Sequence, residues 1–139
     1  MYKILIIAGE PSGDILGSKL IKEMRNQFQE IVDLNNSQRK GLVFQGIGGP
    51  KMKNEGLNCL YRIEDLSIMG ISEVIVSISK IYSIISSLKN YSSVWKPDLI
   101  ITIDSPDFCF RLVKKIRKVD KYVPIIHYVA PSVWAWRPK

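Results

Sequence analysis

Asp104 stands directly after the apolar run Leu99-Ile100-Ile101-Thr102-Ile103, and a carboxylate at the end of a strand either serves as a general base or orders its loop by accepting backbone N–H groups. It belongs to one of four short polar clusters that each follow an apolar, strand-like run. These are Gly9-Glu10-Pro11-Ser12-Gly13-Asp14, Gly46-Ile47-Gly48-Gly49-Pro50, Asp104-Ser105-Pro106-Asp107 and Ala130-Pro131-Ser132-Val133-Trp134-Ala135-Trp136-Arg137. In the first, glycines permit a tight turn, and free N–H groups at a helix start suit an anion or a hydroxyl. Glu10 opposes a phosphate there, so sugar hydroxyls match better. The spacing is neither GxGxxG nor GK[ST], which disfavours dinucleotide and Walker-type sites, and with them a generic nucleotide binder. The same residues also make a plain strand-to-helix turn with Asp14 as N-cap. Gly48 and Gly49 either let a ligand approach the backbone or form only a flexible turn. Asp107, at the second position of a helix, complements the helix dipole. His127, the single histidine, fits a structural hydrogen bond or a site role. Trp134 and Trp136 with Arg137 suit a pocket for an acyl or sugar group, or a domain interface.

The elements that must position these clusters alternate between two periods. Tyr2 to Ala8 is apolar and β-branched almost throughout, like a buried parallel strand. Ile15, Leu16, Leu20, Ile21, Met24 and Phe28 follow helical spacing, and residues 32–41 read as a polar surface loop. Leu42 to Gln45 is a short strand, and Pro50 opens a brief helix. Apolar residues at 71, 74, 75, 78, 81, 82, 85 and 88 predict a helix that ends at Trp95 and Pro97. Few charges lie on it, so core packing suits it better than a membrane surface. Leu99 to Ile103 is the next strand, Ser105-Pro106 caps a helix over 106–118, and Val123 to Val129 is a further strand. Strand then helix, repeated, predicts right-handed βαβ units and a Rossmann-like parallel α/β sheet. In such sheets ligands bind beyond the carboxyl ends of the strands. The sheet is expected to continue past Lys139.

Bulk properties narrow the function classes. The 139 residues fit one domain. Twenty Lys and Arg against thirteen Asp and Glu leave +7, which favours anionic partners. No stretch interleaves aromatics with basic residues as an RNA-binding sheet does, so nucleic acid is not expected. Cys59 and Cys109, with one histidine, make neither a disulfide framework nor a metal site. No signal peptide or membrane-spanning run is visible, and a reduced, cytoplasmic setting is expected.

Taken together, A-G-E-P-S-G-D (8–14), G-G-P-K-M (48–52), M-G-I-S-E-V (69–74), P-D-L-I-I-T-I-D-S-P-D-F (97–108) and H-Y-V-A-P-S-V-W-A-W-R (127–137) resemble the amino-terminal part of the lipid-A-disaccharide synthases. These are inverting glycosyltransferases of the GT-B fold from Gram-negative bacteria. The resemblance covers essentially the whole chain. It implies residues 1–139 as the acceptor-side Rossmann-like domain, without the carboxyl-terminal UDP-sugar domain. The substrates it implies are UDP-2,3-diacylglucosamine and 2,3-diacylglucosamine 1-phosphate, joined by a β-1,6 link at the cytoplasmic face of the inner membrane. No cofactor or metal is implied. Asp104 falls on the family's essential aspartate, as base. Glu10, Ser12, Gly13, Asp14, Gly48, Gly49, Met69, Asp107, His127, Ser132, Trp134, Trp136 and Arg137 fall on segments that border the substrates. Thr102 stands where the family usually has Gly, Cys109 where it often has Asn and Ala130 in place of a common Ser; residues 32–41 are longer than usual. Cys109 is expected to alter substrate contacts. The chain alone is expected to be inactive, a complementing carboxyl-terminal polypeptide restoring turnover. The competing reading is a non-catalytic remnant or a lipid- or partner-binding module with the same half-fold.

Overall fold

The computed structural model describes residues 2–35, 41–66 and 74–129. Five strands, β1 (Tyr2–Ala8), β2 (Leu42–Gly48), β3 (Leu57–Arg62), β4 (Leu99–Ile103) and β5 (Ile125–Tyr128), form one sheet in the order β3-β2-β1-β4-β5. Every pairing is parallel. Among the described residues four helices connect them: α1 (Pro11–Asn35), α2 (Pro50–Asn54), α3 (Val74–Trp95) and α4 (Pro106–Val119). A short 3-10 turn, Ile63–Leu66, follows β3. This is the Rossmann-like arrangement that the alternating periods predict.

Both faces of the sheet are covered, which is why its central strands are continuous hydrophobic runs. Along β1 the side chains alternate between two cores. Leu5 and Ile7 join Ile47, Ile100, Ile84, Ile85, Leu88, Leu112 and Ile116 beneath α3 and α4. Ile4, Ile6 and Ala8 join Phe44, Ile101, Ile103, Ile21 and Met52 beneath α1 and α2.

The structure departs from the sequence reading at several points. Helix α1 runs on to Asn35, so it takes up the start of the segment read as loop from residue 32. Strand β3 has no strong sequence signal, because it is an edge strand whose residues after Leu57 are all partly or fully exposed. On α3, Ile84 is buried at 3 % exposure whereas Tyr82 is 47 % exposed, so the buried stripe is offset from the one read by periodicity. Tyr82 instead carries its hydroxyl to Arg111 at 2.6 Å. In β2, the register to β3 shifts between Gly46 and Ile47. Gly46 has φ +149°, and a Cβ there would collide with the Ile6 carbonyl oxygen. Only glycine fits this bulge.

Candidate active site at the sheet crossover

Strands β1 and β4 lie side by side, yet the chain leaves β1 toward β2 and β3, and leaves β4 toward β5. The crevice above their carboxyl ends is the switch point where open α/β sheets bind ligands. Gly9 and Ser105 close its floor. A Cβ on Gly9 would stand 2.6 Å from Ser105 Oγ and 2.9 Å from its Cβ, so the two loops touch only because residue 9 is glycine. On either side of this contact follow Glu10 and Ser12, both exposed, and Asp104, which is half-buried.

Asp104 and Ser105 both have positive φ, at 49° and 41°. Each left-handed non-glycine residue costs roughly 1–2 kcal/mol, and such strain persists only where the surroundings over-determine it. The Asp104 N–H donates to the Tyr128 carbonyl at 3.0 Å, and the Cys109 N–H donates to the Ser105 carbonyl at 3.0 Å. Pro106 holds the first helical position. The sequence predicts that Ser105 caps α4 with its hydroxyl. It makes no such bond, because its left-handed backbone (φ 41°, ψ 56°) differs from the extended geometry a capping serine needs. Its Oγ is buried against Gly9 without a hydrogen-bond partner.

Asp14 also differs from expectation. It lies inside the first turn of α1, with its N–H donating to the Glu10 carbonyl at 3.1 Å, and so does not cap its own helix. Its carboxylate is 5 % exposed and accepts from the N–H groups of Gly49 (2.9 Å), Lys51 (3.1 Å) and Met52 (2.9 Å). It therefore caps α2, a helix distant in sequence, and ties the second glycine cluster to the first. Gly49 is needed because a Cβ there would stand 2.6 Å from Asp14 Oδ2. The space beside Gly48 is filled by Met52 and Leu57, and Gly13 packs on Ala8. Asp14, Gly49, Gly48 and Gly13 thus pack the start of α1 against the start of α2.

His127 Nδ1 lies 2.7 Å from Thr102 Oγ1, its strand-register partner, and Nε2 is buried without a partner. The Phe110 ring packs against the imidazole at 4.9 Å. Asp107 is exposed and pairs with Arg111 at 3.2 Å, one turn on along α4. Cys109 is fully buried in the core under α4, so it cannot alter substrate contacts directly. Burial pushes its thiol up to about 12, against the pull of hydrogen bonds to Thr102 and the Ile103 backbone. Met69, Ser132, Trp134, Trp136 and Arg137 lie outside the described residues. The sequence reading had Gly9 as a turn glycine and Thr102 as a departure from the family pattern, and missed their contacts with Ser105 and His127. The signal for Thr102 is a hydroxyl inside an otherwise apolar strand, which must find a partner.

An open α/β sheet with helices on both faces and a carboxylate at its strand crossover has the frame of a Rossmann-like ligand-binding domain. One solved structure, UDP-GlcNAc 2-epimerase from Neisseria meningitidis bound to UDP-GlcNAc, matches 90 % of this chain and 31 % of its own, with a TM-score of 0.51 at 17 % identity. That likeness is one of fold. A family model described as lipid-A-disaccharide synthetase matches residues 4–139, and the chain belongs to that family. Among its relatives are lipid-A-disaccharide synthases from Rhodospirillum centenum, 38 % identical over 97 % of this chain and 31 % of theirs, and from Aliivibrio salmonicida, 42 % identical over 99 % and 32 %. The enzyme of that name from Nitrobacter hamburgensis is 41 % identical over 98 % of this chain and 32 % of its own. The chain thus spans about a third of the length of these relatives.

Proposed function

We propose that residues 1–139 form the amino-terminal, acceptor-side domain of a GT-B glycosyltransferase of lipid A biosynthesis. The reaction moves 2,3-diacylglucosamine from its UDP derivative to the 6-hydroxyl of 2,3-diacylglucosamine 1-phosphate. Asp104 takes the proton of the acceptor hydroxyl, the freed oxygen attacks the anomeric carbon, and the bond to UDP breaks on the opposite face. The product is β-1,6-linked, with inversion, and UDP leaves. The observation that carries this reading is the position of Asp104. It is a half-buried carboxylate held in a strained turn at the strand crossover, beside the loop of Glu10 and Ser12.

The relatives are about three times as long as this chain, which supports placing the donor-sugar and UDP contacts in a further domain. On this reading the 139 residues alone do not turn over, and a polypeptide carrying the remaining two-thirds of a relative restores activity. The net charge of +7 suits an anionic lipid acceptor at the cytoplasmic face of a membrane. Among the described residues no helix is long and apolar enough to cross one.

The test is to graft residues 1–139 in place of the matching third of the Rhodospirillum centenum relative and measure disaccharide formation. Asp104→Asn in that hybrid should cut turnover by roughly 10²–10⁴-fold, the usual worth of a general base. Undiminished turnover in the Asp104→Asn hybrid overturns the base assignment. Full turnover by the isolated chain overturns the division between two domains.

A further inference from the structure

The hydroxyl of Thr102 is fully buried in a strand whose other residues are leucine and isoleucine, so its hydrogen bond is obligatory. It meets that need by bonding His127 Nδ1 at 2.7 Å across the β4–β5 pairing, and it also contacts the Cys109 thiol under α4, a contact that His127→Phe leaves in place. The next rung of the same ladder is the bond from the Asp104 N–H to the Tyr128 carbonyl, at 3.0 Å. Immediately beyond it the chain enters the left-handed pair Asp104-Ser105. One side-chain bond and one backbone bond therefore tie down the start of the strained turn. The imidazole is pressed from outside by the Phe110 ring, and its Nε2 has no partner. Thr102 is thus the polar contact that sets the orientation of the ring.

We propose that Thr102, acting through His127, is a positioning residue for Asp104: the Thr102–His127 bond keeps the end of β5 seated on β4, so that the Tyr128 carbonyl holds the Asp104 backbone in its left-handed conformation. The inference rests on Asp104 as the base only for its catalytic meaning; the clamp itself is a property of this chain. Because the role proposed is one of positioning, its signature is local order at Asp104 and the state of the imidazole, not loss of a chemical group.

The chain holds a single histidine, so selective ¹⁵N labelling yields one pair of imidazole signals. The experiment compares the parent with Thr102→Val, which keeps the shape and removes the hydroxyl, and Thr102→Ser, which keeps the hydroxyl. Two readouts are taken without substrate: the imidazole ¹⁵N shifts, and amide hydrogen exchange at Asp104. The amide of Ile100, which donates to the Pro124 carbonyl at the other end of the same pairing (2.9 Å), serves as the internal control. Valine should shift the tautomer balance and speed exchange at Asp104 about five- to tenfold relative to Ile100, the size expected for loss of one buried hydrogen bond. Serine should preserve both. His127→Phe, which breaks the bond from the other side while filling the space, should reproduce the local loosening should Thr102→Val fold poorly. Equal changes at Asp104 and Ile100, or unchanged ¹⁵N shifts in Thr102→Val, overturn the clamp. Loss of turnover in Asp104→Asn with an intact clamp, or the reverse, separates this proposal from the assignment of the base.

Discussion

The carboxylate of Asp14 and the backbone N–H of Gly49, 35 positions apart in the chain, share a 2.9 Å hydrogen bond. The same carboxylate also takes the N–H groups of Lys51 and Met52, so one side chain satisfies most of the free donors at the start of α2. A negative charge at that end also complements the helix dipole. The bonds join the first turn of α1 to the start of α2, two helix starts at the carboxyl edge of the sheet.

Asp14→Ala should therefore destabilise the chain by about 3 kcal/mol, since it strands two buried donors and a third that is partly buried. Asp14→Asn retains one acceptor oxygen and should cost about half of that. Urea unfolding of the two variants measures both values. Less than about 0.5 kcal/mol for the alanine variant would contradict the role assigned to this carboxylate.

The contact between Gly9 and Ser105 predicts a coupled pair. Gly9→Ala drives a methyl into Ser105 and should destabilise the chain by about 1–3 kcal/mol. Ser105→Gly removes the obstructing side chain and relieves a left-handed residue at φ 41°, so alone it should stabilise by about 1 kcal/mol. The double variant should recover most of the loss from Gly9→Ala. Additive effects in the four-member cycle would show that the loops do not press on each other.

Gly46→Ala should be the most damaging single methyl in the sheet. It meets the Ile6 carbonyl oxygen at a backbone angle of φ +149°, and neither strand can retreat without breaking the β1–β2 ladder. A loss of at least about 3 kcal/mol, or failure to accumulate folded protein, is expected. A thermal midpoint equal to that of the parent would contradict the bulge geometry.

The two thiols should behave differently. Cys109 is buried with its pKa raised to about 12, and it should react with a disulfide reagent at pH 8 only when the chain is unfolded. Cys59 is only partly buried. Burial also raises its pKa, with Lys53 pulling the other way, and it should react slowly in the folded chain. Immediate reaction of two thiols in native buffer would contradict the packing of α4.

The same shift has a consequence for stability. Unfolded, Cys109 ionises near its ordinary value of 9.0, whereas folded it keeps its proton to about 12. The folded state therefore binds the extra proton between these values, and the contribution of Cys109 is fully present below pH 9 and falls as pH rises toward about 12. Cys109→Ala removes this fall, so its stability relative to the parent should improve steadily with pH over that window. Parallel stability–pH curves for the two proteins would be the contrary result.

What the amino-acid order determined by itself was the local part of this molecule. The β-branched runs of β1 and β4, the helical spacing of α1 and α3, and Pro106 at a helix start all express preferences that act within a few residues. Because Asp104 follows directly on β4, its place at the carboxyl edge of the sheet was also legible. Only the tertiary structure decided that Asp14 caps α2, that Ser105 leans on Gly9 instead of capping α4, that Thr102 meets His127 and that Ile84 replaces Tyr82 in the core. Each of these depends on register and packing between segments far apart in the chain. A polar side chain declares that it needs a partner, but which partner stands within reach is set by how the strands align. The edge strand β3 escaped notice for the same reason, since its pairing with β2, and not its composition, makes it a strand.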